Sequence, residues 1–261
     1  MNDDRSTDQE LLKIYRDQLR VLEIQEAQFG LQPPAYIVIE IATLRQKIAA
    51  LEPRPAHPAG KHREWLVDQM HRGDHTTIGA AIAAASPGDR IVVREGVYRE
   101  ALLLDKPLEI IGESGPGDVL VQASGASVLS FDCIRGVVRN LTLRQTGGKF
   151  WTVVIKSGRL DLEDCDISNS SYGGVTISGE AHPRLRRNRI HDNQSHGVYI
   201  LENGQGLLEE NEIFNHAKPA VVIKTGASPT LRRNRIHDNQ SIAYRSLISL
   251  GGSTEWIVSR S

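Results

Sequence analysis

The 261-residue chain has two cysteines and few aromatic residues, only 5% Phe, Trp and Tyr. Because Cys133 and Cys165 lie in separate segments of a long chain, a disulfide scaffold is not expected. No apolar run reaches the roughly 18 residues that a membrane-spanning helix needs. The formal net charge of -1 gives no overall field to attract nucleic acid or an anionic membrane. The polar, acidic N-terminus favours the cytoplasm over secretion.

An eleven-residue string occurs twice without change, as Leu185–Ser195 and Leu231–Ser241. A weaker copy, Leu208–Asn215, lies midway between them, so the repeat period is 23 residues. A constant period in the twenties is typical of a solenoid in which each repeat forms one coil. The sequence therefore predicts stacked coils in this part of the chain.

Each coil is predicted to begin with a strand that has three inward positions, holding Leu, then Cys or Asn, then Ile. These first strands are predicted at residues 162–167, 185–190, 208–213 and 231–236. Stacked side-chain amides can satisfy one another in the interior, so the middle column is predicted to be a structural ladder. Its members are Cys165, Asn188, Asn211 and Asn234. Cys165 is interpreted as a packing residue at one end and not as a nucleophile.

The outward columns of these strands alternate in charge from coil to coil. One column reads Glu163, Arg186, Glu209, Arg232, and two others alternate in the same way. Stacked strands lie about 4.8 Å apart, so each charge is predicted to have neighbours of opposite sign. The pattern is interpreted as an ion-pair network that fixes the register. Carboxylates paired in this way are poor acid–base groups, so no catalytic residue is predicted.

Two amphipathic helices, joined by a short Pro-containing loop, are predicted over residues 7–52. They form an antiparallel hairpin with a stripe that includes Tyr15, Leu19 and Leu22 in the first helix and Ile37 to Leu51 in the second. Apolar surface left by this hairpin could contact a partner protein, the solenoid, or a second copy of the chain. Residues 53–75 are predicted to be a linker. Their histidines have no metal-ligand spacing, so neither a metal nor another cofactor is expected.

Residues 76–261 are predicted to form the solenoid, with a short helix at 76–85 covering its first coil. The stretch includes Ala81-Ile82, Pro87-Gly88-Asp89, Gly96-Val97-Tyr98 and Lys106-Pro107-Leu108. This pattern resembles the opening of right-handed parallel β-helix proteins of the pectin-lyase-like type. The resemblance implies a mainly β chain, folded as a single-stranded right-handed parallel β-helix of about seven coils.

From Pro183 to Gln240 the repeats are similar to the carbohydrate-binding and sugar-hydrolase repeats found in F-box only protein 11. That similarity implies a recognition surface and supplies no catalytic motif. No F-box is recognised in the sequence, so ubiquitin-ligase activity is not implied. The predicted hairpin resembles short helical segments that precede effector domains in bacterial signalling and conflict proteins. This second resemblance implies an adaptor or oligomerisation role.

Polar residues predicted to lie in turns after the first strands are the candidate contact residues. The two His–Asp pairs are expected about 10 Å apart, which is too far for one metal ion but suits an extended glycan or peptide. The alternative is a solvated turn in which Asp and Asn bond the local backbone. Trp151 and Tyr172 are expected to add stacking surface. The predicted binding residues are His191, Asp192, Tyr199, His216, His237 and Asp238.

The favoured function is a non-enzymatic recognition or scaffold protein. Its β-helix would bind a protein or glycan, and its hairpin would couple it to another protein. One alternative is a lyase or hydrolase of the pectin-lyase-like class. Another is a structural protein that oligomerises through the ends of the coil.

Overall fold

The computed structural model describes residues 15–22, 62–240, 244–246 and 256–258, with isolated positions 34, 37, 41 and 44. The chain divides into two compact units, Met1–Lys61 and His62–Ser261. In the first unit, residues 15–22 are helical, and Tyr15, Leu19 and Leu22 are less exposed than the residues between them. Ile37, Ile41 and Leu44 are helical and buried. The rest of the hairpin lies outside the described residues, so the hairpin stays a prediction.

The second unit is a parallel β solenoid, as predicted. Each coil contributes strands to three sheets, called A, B and C here. Sheet A contains β1 (Glu64–Val67), β2 (Arg90–Val93), β5 (Glu109–Gly112), β8 (Arg135–Arg139), β11 (Arg159–Glu163), β14 (Arg184–Arg186), β17 (Leu207–Glu209) and β20 (Thr230–Arg232). Sheet B contains β3 (Gly96–Arg99), β6 (Val119–Ala123), β9 (Thr142–Gln145), β12 (Asp166–Asn169), β15 (Arg189–Asn193), β18 (Glu212–Phe214), β21 (Asn234–His237) and β23 (Trp256–Val258). Sheet C contains β4 (Leu102–Leu104), β7 (Leu129–Phe131), β10 (Val153–Ile155), β13 (Val175–Ile177), β16 (Val198–Ile200), β19 (Val221–Ile223) and β22 (Tyr244–Ser246).

The solenoid begins earlier than the sequence predicts. β1 pairs in parallel with β2, with Glu64 opposite Arg90, although residues 53–75 were expected to be a linker and the solenoid to begin at Thr76. Sheet A therefore has eight strands among the described residues, and the number of coils is about eight where about seven were predicted. The Glu64–Arg90–Glu109 column also alternates in charge, with 2.7 Å between Arg90 Nε and Glu109 Oε2.

The predicted short helix is α1 (Ile78–Ala84), and it packs Ile78, Ala81 and Ile82 into the core next to β1, β2 and β4. The Glu100 carboxylate accepts hydrogen bonds from Ile78 N and Gly79 N at 3.0 and 2.8 Å. Lys106 Nζ donates to the carbonyl of Ala85 at the other end, at 2.8 Å. Both ends of the helix are thus tied to the first coil by side chains that satisfy free backbone groups.

Each predicted first strand is in fact two strands in two sheets. β11 ends at Glu163 and β12 begins at Asp166, because Asp164 adopts a left-handed backbone conformation with φ of 53°. A residue in this conformation cannot continue a strand, so the chain turns there from sheet A to sheet B. The same bend recurs at Arg187, Glu210 and Arg233, with φ of 52°, 56° and 50°.

The asparagine ladder is present at this bend, and it has the predicted membership. Cys165 N donates to Asn188 Oδ1 at 3.0 Å. Asn188 donates through both N and Nδ2 to Asn211 Oδ1, and Asn211 donates in the same way to Asn234 Oδ1, all at 2.9–3.0 Å. Each amide is also bonded to a leucine carbonyl of the preceding coil. The ladder therefore satisfies polar groups that the leucine and isoleucine columns bury.

Candidate functional site

Most outward charges of β11 to β21 in sheets A and B pair with one another, as the alternating columns predict, although Arg232 makes no ion pair with a described residue. Arg187 binds Asp164 through two contacts of 2.7 Å each. Arg189 lies between Asp166 and Glu212, at 3.1 and 3.4 Å. Arg233 and Glu210 are 3.1 Å apart. These side chains neutralise one another from coil to coil, so their carboxylates are not free acid–base groups.

His191 and His237 lie in strands of sheet B and not in turns, which corrects the predicted placement. His191 Nε2 is 3.0 Å from Asp166 Oδ1, and its Nδ1 is 2.8 Å from Asp192 Oδ2. His237 makes the same pair of contacts with Glu212 and Asp238, at 3.1 and 2.7 Å. Both histidine side chains are only 12% exposed. Since both ring nitrogens are already bonded to carboxylates, neither imidazole is available as a base or a ligand.

Phe214 lies between these two histidines and completes a stack of rings across three coils. The ring centroids are 5.1 Å apart on each side, with interplanar angles of 11° and 2°. Burial lowers the pKa of His191, but hydrogen bonds to Asp166 and Asp192 outweigh it and leave the pKa above its ordinary value. These hydrogen bonds therefore favour the charged form of His191, and the ring stack contributes to the structure. Sequence reasoning missed Phe214, although it occupies the same column as His191 and His237.

Asp192 is the bulged residue near the end of β15 and Asp238 directly follows β21, with φ of 53° and 51°. Asn215 has the same role in the coil between them, at 56°. Asp and Asn tolerate this left-handed conformation better than other residues with a side chain. The two aspartates are thus explained by backbone geometry and by their histidine partners, which favours the alternative of a structural turn over direct contact with a ligand.

His216 is wrong as a predicted contact residue, because its side chain is fully buried. Its Nδ1 accepts from Asn193 Nδ2 at 3.2 Å, and its backbone N donates to Asn239 Oδ1 at 3.0 Å. It is therefore part of a second ladder at the bend into sheet C. Burial lowers the pKa of His216 to about 3, so the imidazole is neutral. Its buried Nε2 has no hydrogen-bond partner among the residues that the structure describes.

Aromatic rings cluster on the outside of the solenoid beside sheet C. The Trp151 ring centroid lies 5.1 Å from that of Tyr172 and 5.6 Å from that of Tyr199. His196 lies 5.3 Å from Tyr199 on the other side. All four side chains are partly buried. The structure thus brings the predicted Tyr199 together with Trp151 and Tyr172, over three consecutive coils.

Two small features of the preceding loop hold this cluster in place. A Cβ on Gly173 would lie 2.1 Å from the Trp151 ring, so only glycine lets the indole pack there. Asn169 Oδ1 accepts from Tyr172 N at 2.7 Å, and its Nδ2 donates to the carbonyls of Gly173 and Phe150 at 2.7 and 2.9 Å. Asn169 therefore fixes the loop that carries Tyr172.

Lysines lie before and after the strands of sheet C on this side of the solenoid. All five lysines of residues 62–240 flank strands of sheet C, whereas the cations of sheets A and B are arginines. Four of them lie beside β10 and β19. In the described part of the chain none of these four is within ion-pair distance of a carboxylate. Lys224 Nζ lies 5.7 Å from the Tyr199 ring centroid, close enough for a cation–π contact. We call this surface the lysine–aromatic face, and it consists of Trp151, Tyr172, His196, Tyr199, Lys149, Lys156, Lys218 and Lys224.

Other features of the described residues add no competing site. No group of three or more His, Cys, Asp or Glu side chains there could hold a metal ion. Both cysteines are buried, and burial raises the pKa of the Cys165 thiol to about 12. A shallow cleft is lined by Arg99, Gln122 and Thr146, and its one carboxylate, that of Glu100, caps α1. None of the helices described in the structure combines the length and the apolar character that crossing a membrane requires.

Comparison with known proteins agrees with this geometry. Residues 130–259 match the family model described as a right handed beta helix region, so the solenoid is a right-handed parallel β-helix. Among curated proteins, F-box only protein 10 of Mus musculus is 31% identical over 123 residues, 46% of this chain and 12% of that protein. The Homo sapiens protein is 32% identical over 107 residues, 40% of this chain and 10% of that protein. The predicted resemblance to F-box only proteins is confirmed, with protein 10 as the member found.

Two solved structures are also similar. The pectin methylesterase of Aspergillus niger has 12% identity and a TM-score of 0.42, over 72% of this chain and 91% of that chain. The carrot pectin methylesterase has 12% identity and a TM-score of 0.39, over 71% of this chain and 88% of that chain. Likenesses at this level carry no information about activity.

Proposed function

We propose that the chain is a non-enzymatic recognition protein whose lysine–aromatic face binds a partner. The β-helix fold and the F-box only protein relatives support a binding or scaffold role. The observation that carries the proposal is the difference between the sheets. Most outward charges on β11 to β21 of sheets A and B pair from coil to coil, whereas the four lysines beside β10 and β19 make no ion pair with a described residue and lie on the side that carries the aromatic rings.

The composition of this face suits binding energetically. Tyr and Trp dominate binding energy at many interfaces, because they present a large area and lose little conformational entropy when they are bound. Here the rings are already held by Gly173 and Asn169, so little further ordering is needed. Lysines without ion-pair partners can attract an anionic ligand without first breaking an existing contact.

The residues available for catalysis point in the same direction. Glycoside hydrolysis uses two carboxyl groups on either side of the bond that breaks. The carboxylates of the outward columns, such as Asp164, Asp166 and Glu212, have arginine partners instead. Binding without turnover is therefore the function that this arrangement supports best.

The test combines a binding array with a cleavage assay. The full chain is applied to arrays of defined glycans and peptides, together with Tyr199→Ala and the matched surface control Thr230→Ala on sheet A. We expect binding that Tyr199→Ala abolishes and Thr230→Ala preserves, with no change in the chain length of any bound glycan. Release of new sugar ends by the wild-type chain, abolished by Asp166→Asn, would instead identify an enzyme.

The predicted hairpin completes the proposal. Residues 7–52 would couple the β-helix to a second protein or to a second copy of the chain, in keeping with their amphipathic pattern. Light scattering of the full chain and of residues 62–261 tests this role. The truncation begins at residue 62 because β1 belongs to the solenoid. Equal mass per chain in both samples would count against self-association through the hairpin.

A further inference from the structure

Lys156 and Lys224 stand in one outward column of the lysine–aromatic face. Backbone hydrogen bonds define this column, from Ser178 N to Ile155 O, from Leu201 N to Ile177 O and from Lys224 N to Ile200 O, at 3.0, 3.0 and 2.8 Å. The column therefore reads Lys156, Ser178, Leu201, Lys224. Two cations are separated by three coil steps with neutral residues between them, whereas the columns of sheets A and B alternate in charge.

The spacing of these lysines fits one kind of ligand backbone. Three steps of about 4.8 Å place the two column positions about 14 Å apart. An extended peptide advances about 3.3 Å per residue, so four residues span about 13 Å. Side chains at positions i and i+4 of an extended chain also point to the same side. A peptide with two glutamates four residues apart therefore matches the lysine pair in distance and in direction.

The aromatic rings favour a peptide over a sugar chain. Trp151 packs against Gly173, Tyr172 and Tyr199. Tyr199 in turn contacts Trp151, His196 and Lys224. The rings thus contact one another and do not form a row of separate flat platforms on which successive sugar rings could stack. The face presents ring edges, polar ring atoms and ammonium groups to a ligand.

The local charge balance is positive but moderate. Asp132 neighbours Lys156 in the column, and it accepts a hydrogen bond from Ser157 Oγ at 2.8 Å. Glu180 and Glu202 follow the strands of the two intervening coils, against the four lysines of the face. A peptide whose two carboxylates lie in register with the lysine pair should therefore bind. A uniformly acidic peptide would also place carboxylates next to these glutamates, which would repel it.

We infer that the lysine–aromatic face binds an extended acidic peptide in which two carboxylates lie four residues apart, seated on Lys156 and Lys224. This inference rests on the proposed function and adds the class and spacing of the ligand. The residue midway between the two carboxylates faces the same side, so an apolar or aromatic residue is expected there to contact Tyr199 and Leu201.

Fluorescence anisotropy with the full chain tests the inference. One labelled peptide carries glutamates at i and i+4 around a central tyrosine, and a second peptide of the same composition carries them at i and i+3. The i+4 peptide should bind about tenfold more tightly, because in the other peptide the two carboxylates point to opposite sides. Lys156→Gln and Lys224→Gln should each weaken the i+4 peptide about fivefold, the loss expected for one surface ion pair. Arg232→Gln removes an exposed cation from sheet A and should have no effect.

Equal binding of the two peptides, or equal effects of the three substitutions, would overturn the inference. Polygalacturonate in the same assay separates its failure from failure of the proposed function. If polygalacturonate binds and Tyr199→Ala abolishes this binding, while neither peptide binds, the face recognises a glycan and only the peptide inference is wrong. If no probe shows binding that depends on Tyr199, the peptide inference is overturned, and the array experiment decides the broader proposal.

Discussion

Arg187 donates from Nε and Nη2 to the two carboxylate oxygens of Asp164, each at 2.7 Å, across a step of one coil. Both residues have left-handed φ values at the bend between sheets A and B. The pair therefore fixes the register at the point where each coil turns. Because both side chains are more than a third exposed, their contribution to stability should be modest.

A double-mutant cycle measures this contribution. Asp164→Asn and Arg187→Gln remove the charges without placing a β-branched residue at a positive φ. We expect a coupling free energy of about 0.5–1 kcal/mol from urea unfolding in low salt. The coupling should fall in about 1 M NaCl, where charges are screened over about 3 Å. A coupling that salt leaves unchanged would mean that the pair does not act through charge.

The asparagine ladder should contribute more than any surface pair. Asn211→Ala removes the acceptor of Asn188 N, one of the two acceptors of Asn188 Nδ2, and the side-chain donor to the Leu185 carbonyl and to Asn234 Oδ1. We expect a loss of about 2–4 kcal/mol in the free energy of unfolding, since each unsatisfied buried group costs about 1–3 kcal/mol. Ser228→Ala, on an exposed turn, is the control and should change stability by less than about 0.5 kcal/mol. Similar effects of the two substitutions on stability would contradict a stabilising role for the ladder.

His216 should make the protein acid-sensitive. Its pKa falls to about 3 in the folded chain, below the unfolded value of about 6.5. The unfolded state therefore binds the proton more readily, and stability is lost as pH falls from about 6.5 towards 3. Asn occupies the same ladder position in the preceding and following coils, so His216→Asn should fold. The free energy of unfolding of this variant, relative to that of wild type, should rise by about 2–3 kcal/mol between pH 7 and pH 4. A difference in stability between the two proteins that stays constant from pH 7 to pH 4 would contradict a neutral, buried His216.

His191 should show the opposite pH dependence. Its pKa is raised in the folded chain, because contacts with Asp166 and Asp192 outweigh burial. Its contribution is complete below the unfolded pKa of about 6.5 and is lost as pH rises through the folded pKa. His191→Gln should therefore cost stability at pH 6 and progressively less towards pH 9, as followed by thermal unfolding. A growing cost at alkaline pH would rule out a charged imidazole in the stack.

The repeat made most of the fold predictable from the sequence. Identical spacing placed Leu185, Asn188 and Ile190 in three stacked columns, so the core, the ladder and the charge pairing could all be read by numbering alone. The spacing also contains the bend between the sheets, although the prediction places one continuous strand there. A continuous strand would alternate every two residues, whereas Leu185 and Asn188 are three apart, so one residue between them must break the strand.

The parts that repeat least were the hardest to predict. β1 has no counterpart in the exact repeat, so the sequence pattern predicts a linker there. The second ladder was hidden because Asp192 is an extra residue opposite the Ser168–Asn169 step of the neighbouring coil. The lysine–aromatic face lies around three-residue strands and their loops, where columns are short and side-chain direction depends on each bend. Tyr199 was predicted there, but its lysine surroundings follow only from the stacked geometry.

The central claim is that charges on sheets A and B maintain the fold while those beside sheet C bind a partner. Two matched double neutralisations, Lys156→Gln with Lys224→Gln and Arg187→Gln with Arg233→Gln, test it by binding and unfolding measured on the same samples. The double lysine variant should lose affinity for the i+4 peptide, or for the glycan that the array identifies. Its unfolding midpoint should equal that of wild type. The arginine pair should lower the midpoint and leave affinity intact. The claim would be contradicted if the double lysine variant lost stability, or if only the double arginine variant lost affinity.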